Sequence, residues 1–235
     1  MLSSFCADVT GLDNNEYLVA RSQDPKIRLA DAWFWDLSRY DIVFHCAAYK
    51  HVSLAKDNRM MFFENNVSLV TYMLSECRRY GVDFTLCSTD KVSGHTFMGW
   101  TKKKAEEAVT VYDQKALRLV NCVGSRGSVI DIWDSGGPYF LCDPDVKRYW
   151  MNVRDAAYAL ALTAVFDNGV YTVDGVPCLS MGEIAQAWSA TRQKVVSFLA
   201  YEMDEKEAKE EALIAKDEMM VSTVWPFIKK VERGI

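Results

Sequence analysis

The chain has 235 residues, half of them apolar and a quarter charged, which suits one large globular unit with a substantial core. Its 27 basic and 32 acidic residues leave a net charge of -5, which argues against a nucleic-acid-binding surface. No apolar run reaches the roughly 20 residues of a membrane span, and no signal peptide is evident.

The seven cysteines are scattered without a C-x-x-C pair, so free thiols in a reducing, cytoplasmic setting are expected rather than disulfides or a metal site. Short apolar runs alternate with longer amphipathic stretches, the pattern of an α/β fold. "DIVFHCA" (41–47) predicts a strand, and "MMFFENNVSLVTYMLSECRRYG" (60–81) predicts a helix that Gly81 ends. "VDFTLCS" (82–88) is the next strand, followed by a helix over about 98–114 and a strand at "ALRLVNCV" (116–123). After Gly124 the texture becomes loop-rich. A helix at about 152–166, a strand at "GVYTVDG" (169–175) and a helix from Ser180 follow. Ser180 and Glu183 have the spacing of a capping box. The charged stretch "DEKEAKEEALIAKDEMM" (204–220) predicts a surface helix.

Three segments carry a resemblance. They are "DIVFHCAAYKHVSL", "STDKVSGHTFMGWTKKKAE", and "RLVNCVGSRGSVI" continuing to "GGPYFLCDPDVKRYWMNVRDAA". In that order, from Tyr40 to about Asp174, they resemble the UDP-N-acetylglucosamine 4,6-dehydratases. These form the capsular-polysaccharide and flagellin-sugar branch of the extended short-chain dehydrogenase/reductase family. The resemblance implies a Rossmann-like, mainly parallel sheet with helices on both faces. It divides the chain into a nucleotide-binding core at 1–123 and a substrate-binding and C-terminal part at 124–235. It implies NAD or NADP as cofactor, a UDP-sugar as substrate, and either a homo-oligomer or a partner chain that completes the sheet.

The residues alone agree with part of this. A Ser/Thr at a strand end, with two helix residues four apart, places side chains together where open α/β sheets bind ligands. The family's elimination chemistry would fall to Asp90 as acid at C6 and Lys91 as base at C5, with Thr89 beside them. A lysine can be that base near neutral pH only if its pKa is lowered, for which a neighbouring Lys102 and a dry pocket would serve. Lys102 would hold the nicotinamide ribose, and Asp13, Ala47, Ala48, Lys50 and Ser88 would meet the rest of the cofactor. Met98 stands where the best-known relatives have the tyrosine that takes the C4 hydroxyl proton. Having no ionisable group, it leaves that proton to Thr89, Lys102 or the Asp90–Lys91 pair. On the substrate side the resemblance places Lys50, His51, Asn121, Ser125, Arg126, Ser128, Lys147 and Arg148.

The family's glycine-rich phosphate loop is not found in the first forty residues, where Gly11 stands alone. "VTGLDNN" can be a second strand ending in Asp13, or "FCADVTG" a remnant first strand; a shortened sheet with residues 5–20 along its edge is expected. "RSQDPKIRL" resembles the third strand, with Ser22 where an Asp would contact adenine. Two further readings remain beside the dehydratase. One is a non-catalytic sugar-nucleotide-binding or assembly protein, and the other an epimerase of the same superfamily.

Overall fold

The computed structural model describes residues 8–92, 95–136, 139–141, 143–192, 197–199, 221–225 and 228–231; for 139–141, 197–199 and 221–225 this covers the backbone alone. The charged stretch 204–220 lies outside the described residues.

The chain opens with β1 (Gly11–Asp13), α1 (Glu16–Ser22) and β2 (Ile27–Leu29). Then come β3 (Ile42–His45), α2 (Val52–Asp57), α3 (Arg59–Phe63) and α4 (Leu69–Tyr80), the last two joined by a π-helical turn at Glu64–Ser68. The segment expected as one helix over 60–81 is thus a helix with an inserted wide turn. After it run β4 (Asp83–Thr89), α5 (Phe97–Val111), β5 (Lys115–Leu119), β6 (Asn121–Val123) and α6 (Val129–Asp134). The remainder comprises β7 (Tyr139–Leu141), β8 (Lys147–Asn152), α7 (Val153–Leu162), β9 (Gly169–Val173), β10 (Cys178–Ser180), α8 (Met181–Arg192), β11 (Ser197–Leu199), β12 (Val221–Trp225) and β13 (Ile228–Val231).

The main sheet has the order β12-β13-β9-β5-β4-β3, with β3, β4, β5 and β9 parallel and the β13 and β12 edge antiparallel. Side-chain alternation along β5 shows why both faces are covered. Ala116 packs with Leu74, Phe84 and Val109 under α4 and α5, while Leu117 packs with Ala156, Leu160 and Tyr171 under α7. A side chain such as Phe84, fully shut off from solvent, contributes about 1.5–3 kcal/mol by its burial. A second, three-stranded sheet of order β10-β8-β6 stands beside the first, backed by a cluster containing Trp133, Trp150 and Trp188. The run expected as one strand over 116–123 is therefore two. β5 ends at Leu119 in the main sheet and β6 begins at Asn121 in the small one, so the chain changes sheet at Val120.

The expected edge role of residues 5–20 is corrected over the described residues. β1 pairs in parallel with β2, from Gly11 opposite Ile27 to Asp13 opposite Leu29, and not with β3. The short crossover through α1 satisfies β1 locally. Among the described residues the outer edge of β3 has no strand partner, and a cavity of about 350 Å³ separates it from β1.

Two local signals are realised as atoms. The Ser180 amide donates to Glu183 at 2.7 Å and the Glu183 amide to the Ser180 hydroxyl at 3.1 Å, closing the capping box. Gly81 ends α4 in the left-handed region at φ 71°, with open space where a Cβ would project. Gly81→Ala therefore meets backbone strain alone, and should cost about 1–2 kcal/mol in urea unfolding with an unchanged denaturant slope. Unaltered stability would contradict a left-handed cap at this position.

Candidate functional site

The strands β3, β4 and β5 end along one edge of the main sheet, with His45 paired to Leu86 and Thr89 to Leu119. The Asp90 amide extends that ladder by donating to the Leu119 carbonyl at 3.0 Å. Above this edge, between it and the small sheet, lies a cavity of about 520 Å³.

Most of the side chains singled out in the sequence meet here. Ala48, Lys50 and His51 come from the loop after β3, and Ser88, Thr89 and Lys91 from the end of β4. Met98 and Lys102 reach it from α5, and Asn121, Ser125, Ser128 and Arg148 from the substrate side. Five others are not in its lining, and the first of them is Asp90, whose carboxylate lies buried behind Thr89. Asp13 sits on the separate two-stranded sheet, where its carboxylate accepts from the Asn15 amide at 2.8 Å. Ala47 lines the cavity beside β1. Lys147 is exposed at the start of β8. Arg126 contributes its carbonyl, which accepts from Lys50 Nζ at 2.6 Å.

The Asp90–Lys91 pair has a definite geometry. Lys91 Nζ donates to Asn121 Oδ1 at 3.0 Å, and Asn121 Nδ2 in turn donates to the Tyr149 carbonyl at 3.1 Å. Thr89 Oγ1 donates to Asp90 Oδ1 at 3.0 Å, while Asp90 Oδ2 is buried without a hydrogen-bond partner. Met98 is buried against Ala55 and Phe62, as a packing residue that also faces the cavity. The hydroxyls of Ser125 and Ser128 are engaged inside their own loop. Ser125 donates to the Cys122 carbonyl and Ser128 caps α6.

Lys102 is 7% exposed, and burial lowers its pKa from the ordinary lysine value. Burial does the same to Lys50. One turn beyond Lys102 on α5, Glu106 accepts from the buried Ser88 hydroxyl and from Arg118, whose Nε and Nη2 hold it at 3.0 and 2.8 Å. Asn66, in the π-helical turn, accepts from the Tyr49 amide at 2.8 Å and donates to the Tyr49 carbonyl at 2.9 Å and to Thr101 Oγ1 at 3.1 Å. That one amide ties the loop after β3 to α5. Sequence reading missed both groups. Glu106 could have been suspected from its i, i+4 spacing to Lys102, whereas Asn66 has no such local signal.

A nicotinamide cofactor fits these residues at one end. Lys102 and Thr89 offer donors of the kind a nicotinamide ribose takes. At the diphosphate end the described residues hold no glycine-rich turn, and the start of α1 is capped by Asn15 and carries Glu16, which opposes an anion.

Comparisons with known proteins bear on the sequence and the fold. The sequence profile of the family described as polysaccharide biosynthesis protein matches residues 28–232. The probable polysaccharide biosynthesis protein EpsC of Bacillus subtilis is 27% identical over 234 residues, covering 91% of this chain and 39% of that protein. The UDP-N-acetylglucosamine 4,6-dehydratase (inverting) of Campylobacter jejuni is 25% identical over 164 residues, covering 63% of this chain and 49% of that protein. The chain thus spans less than half the length of either relative. The structure of MoeE5 in complex with UDP-glucuronic acid and NAD matches with a TM-score of 0.75 over 99% of this chain and 90% of that one. At 15% identity this is a likeness of fold.

The burial of charge at this edge has a measurable consequence at His45. Desolvation, with the Lys102 charge acting the same way, lowers its pKa from 6.5 to about 4, and its Nε2 is buried without a partner. The unfolded chain takes up this proton near pH 6.5 and the folded chain only near pH 4, so stability is full above 6.5 and falls as pH drops through that window. The shift corresponds to about 3 kcal/mol. His45→Leu should flatten the fall between pH 6.5 and 4 relative to wild type in urea unfolding. Parallel curves for the two proteins would contradict a neutral, buried His45.

Proposed function

The chain belongs to the polysaccharide biosynthesis protein family, and on that premise we propose that it binds a UDP-sugar in the 520 Å³ cavity and acts on it as a 4,6-dehydratase. The observation that carries this reading is the Asp90–Lys91 pair at the strand edge. One carboxylate oxygen is buried and unpartnered, and one amine is aimed by Asn121 beside it.

A nicotinamide cofactor, when bound, supplies the reversible exchange that turns the C4 carbinol into a ketone and completes the reduction at C6. The chain's own residues move the protons. Thr89 lines the cavity and bonds to Asp90, so it would link a C4 hydroxyl bound there to that carboxylate. As C4 is oxidised, its hydroxyl proton passes to Thr89 Oγ1 while Thr89 hands its own to Asp90 Oδ1, along the 3.0 Å contact. The ketone acidifies the C5 hydrogen, which Lys91 Nζ removes as base. Protonated Asp90 then delivers its proton to the C6 hydroxyl, which leaves as water. Reduction at C6 and return of the Lys91 proton to C5 yield the 6-deoxy-4-keto sugar, with one water lost overall. This relay gives the C4 proton a route that does not need the missing tyrosine.

Arg148, Lys50 and Asn121 supply donors suited to a nucleotide diphosphate and hydroxyl groups. A second reading, a sugar-nucleotide-binding protein without catalysis, is favoured by one observation: the described residues lack a cradle for the cofactor diphosphate. Lys91→Met separates the two readings. With a UDP-sugar and either NAD or NADP, the wild type should release the 6-deoxy-4-keto product. Lys91→Met should slow release by at least ~10²–10⁴-fold while leaving UDP-sugar affinity nearly unchanged. Lys103→Met, on α5 beside Lys102 but outside the cavity lining, should behave as wild type. Equal rates for wild type and Lys91→Met would remove Lys91 from the chemistry. No product from the wild type with either cofactor would favour the binding protein.

A further inference from the structure

The cavity holds chemistry that the dehydratase reading leaves unused. Three cysteines line it: Cys46, Cys87 and Cys122. Two of them are neighbours by construction. β3 and β4 run parallel with His45 opposite Leu86, so Cys46, one residue past the end of β3, falls beside Cys87 on β4 near the carboxyl edge. Adjacent strands lie about 4.8 Å apart, within the roughly 4.4–6.8 Å between Cα atoms that a disulfide spans. The two thiols share a hydrogen bond, and Lys102 adds a positive charge beside both. Cys46 is exposed and Cys87 partly so, which gives a reagent access through the cavity.

We propose that Cys46 and Cys87 form a reactive dithiol at the floor of the cavity, a modification site for small-molecule disulfides that closes into a Cys46–Cys87 disulfide. Cys87 is the attacking sulfur. The hydrogen bond from Cys46, together with the Lys102 charge, brings its pKa down to about 7, whereas burial pushes Cys122 up to about 11. The Cys87 thiolate attacks one sulfur of the reagent disulfide, forming a mixed disulfide and releasing one thiol. Cys46 gives up its proton and attacks Cys87 Sγ, expelling the second thiol. Two S–H bonds of the protein become one S–S bond, and the reagent disulfide is reduced to two thiols. The closed form removes the thiolate that faces Lys102.

The test uses the purified full chain and glutathione disulfide, and depends on neither substrate nor cofactor turnover. Peptide mapping without reduction should show Cys46 joined to Cys87, with two of the seven thiols lost and both restored by dithiothreitol. Cys46→Ser should stop at a mixed disulfide between Cys87 and glutathione, since the second sulfur is gone. Cys122→Ser should react as the wild type does. Phenylarsine oxide, which bridges paired thiols, should bind the wild type one to one and lose that binding in Cys46→Ser. Oxidation that links Cys87 to Cys122, or that leaves Cys46 and Cys87 both free, would overturn the proposal.

Discussion

An ammonium group held almost out of water organises this structure. Lys102 projects from α5 onto the carboxyl edge of the sheet, and the surroundings are built to tolerate it. An isolated buried charge is costly unless it is paired or its pKa shifts. Here the pKa falls, and groups of opposite tendency gather near it. Glu106 lies one turn away, fixed by Arg118 and by the Ser88 hydroxyl, and the Cys87 thiol is drawn toward its ionised form. Burial keeps His45 neutral, and the same charge adds to that effect.

The walls of the cavity depend on packing at a distance from that charge. Extra width in the π-helical turn at Glu64–Ser68 accompanies the inward placement of Asn66, which is 1% exposed and bonds to both backbone groups of Tyr49. π-Helical turns recur at functional sites because they displace a side chain from its regular helical position. The opposite wall comes from the switch of sheets at Val120, which brings Asn121 beneath Tyr149 and within reach of Lys91. A single strand running on through 116–123 would have left Lys91 without that partner. The catalytic reading therefore leans on an irregularity in each half of the chain.

Much of this architecture was legible in the sequence, for identifiable reasons. Apolar runs of strand length alternating with amphipathic helices fixed the α/β class, and Gly81 and the Ser180–Glu183 pair carry their geometry in local chemistry. The gathering of Thr89, Lys91, Met98 and Lys102 followed from a strand end and a helix with i, i+4 spacing. What was not legible depended on partners far away in the chain. The burial of Asn66 needs Tyr49 and Thr101, and the sheet switch at Val120 needs β8 as an alternative partner for β6. The pairing of β1 with β2 rather than β3 was obscured because three-residue strands carry almost no periodicity.

The proposed sugar-nucleotide site at the carboxyl edge has its polar lining in place, whereas among the described residues the cofactor's cradle is not. Calorimetric titration with UDP-N-acetylglucosamine, in the absence and presence of NAD, tests it most directly. Such a site should give saturable binding of the UDP-sugar without cofactor, competed away by UDP, with NAD binding weaker. Tight NAD binding together with no detectable UDP-sugar binding would contradict it.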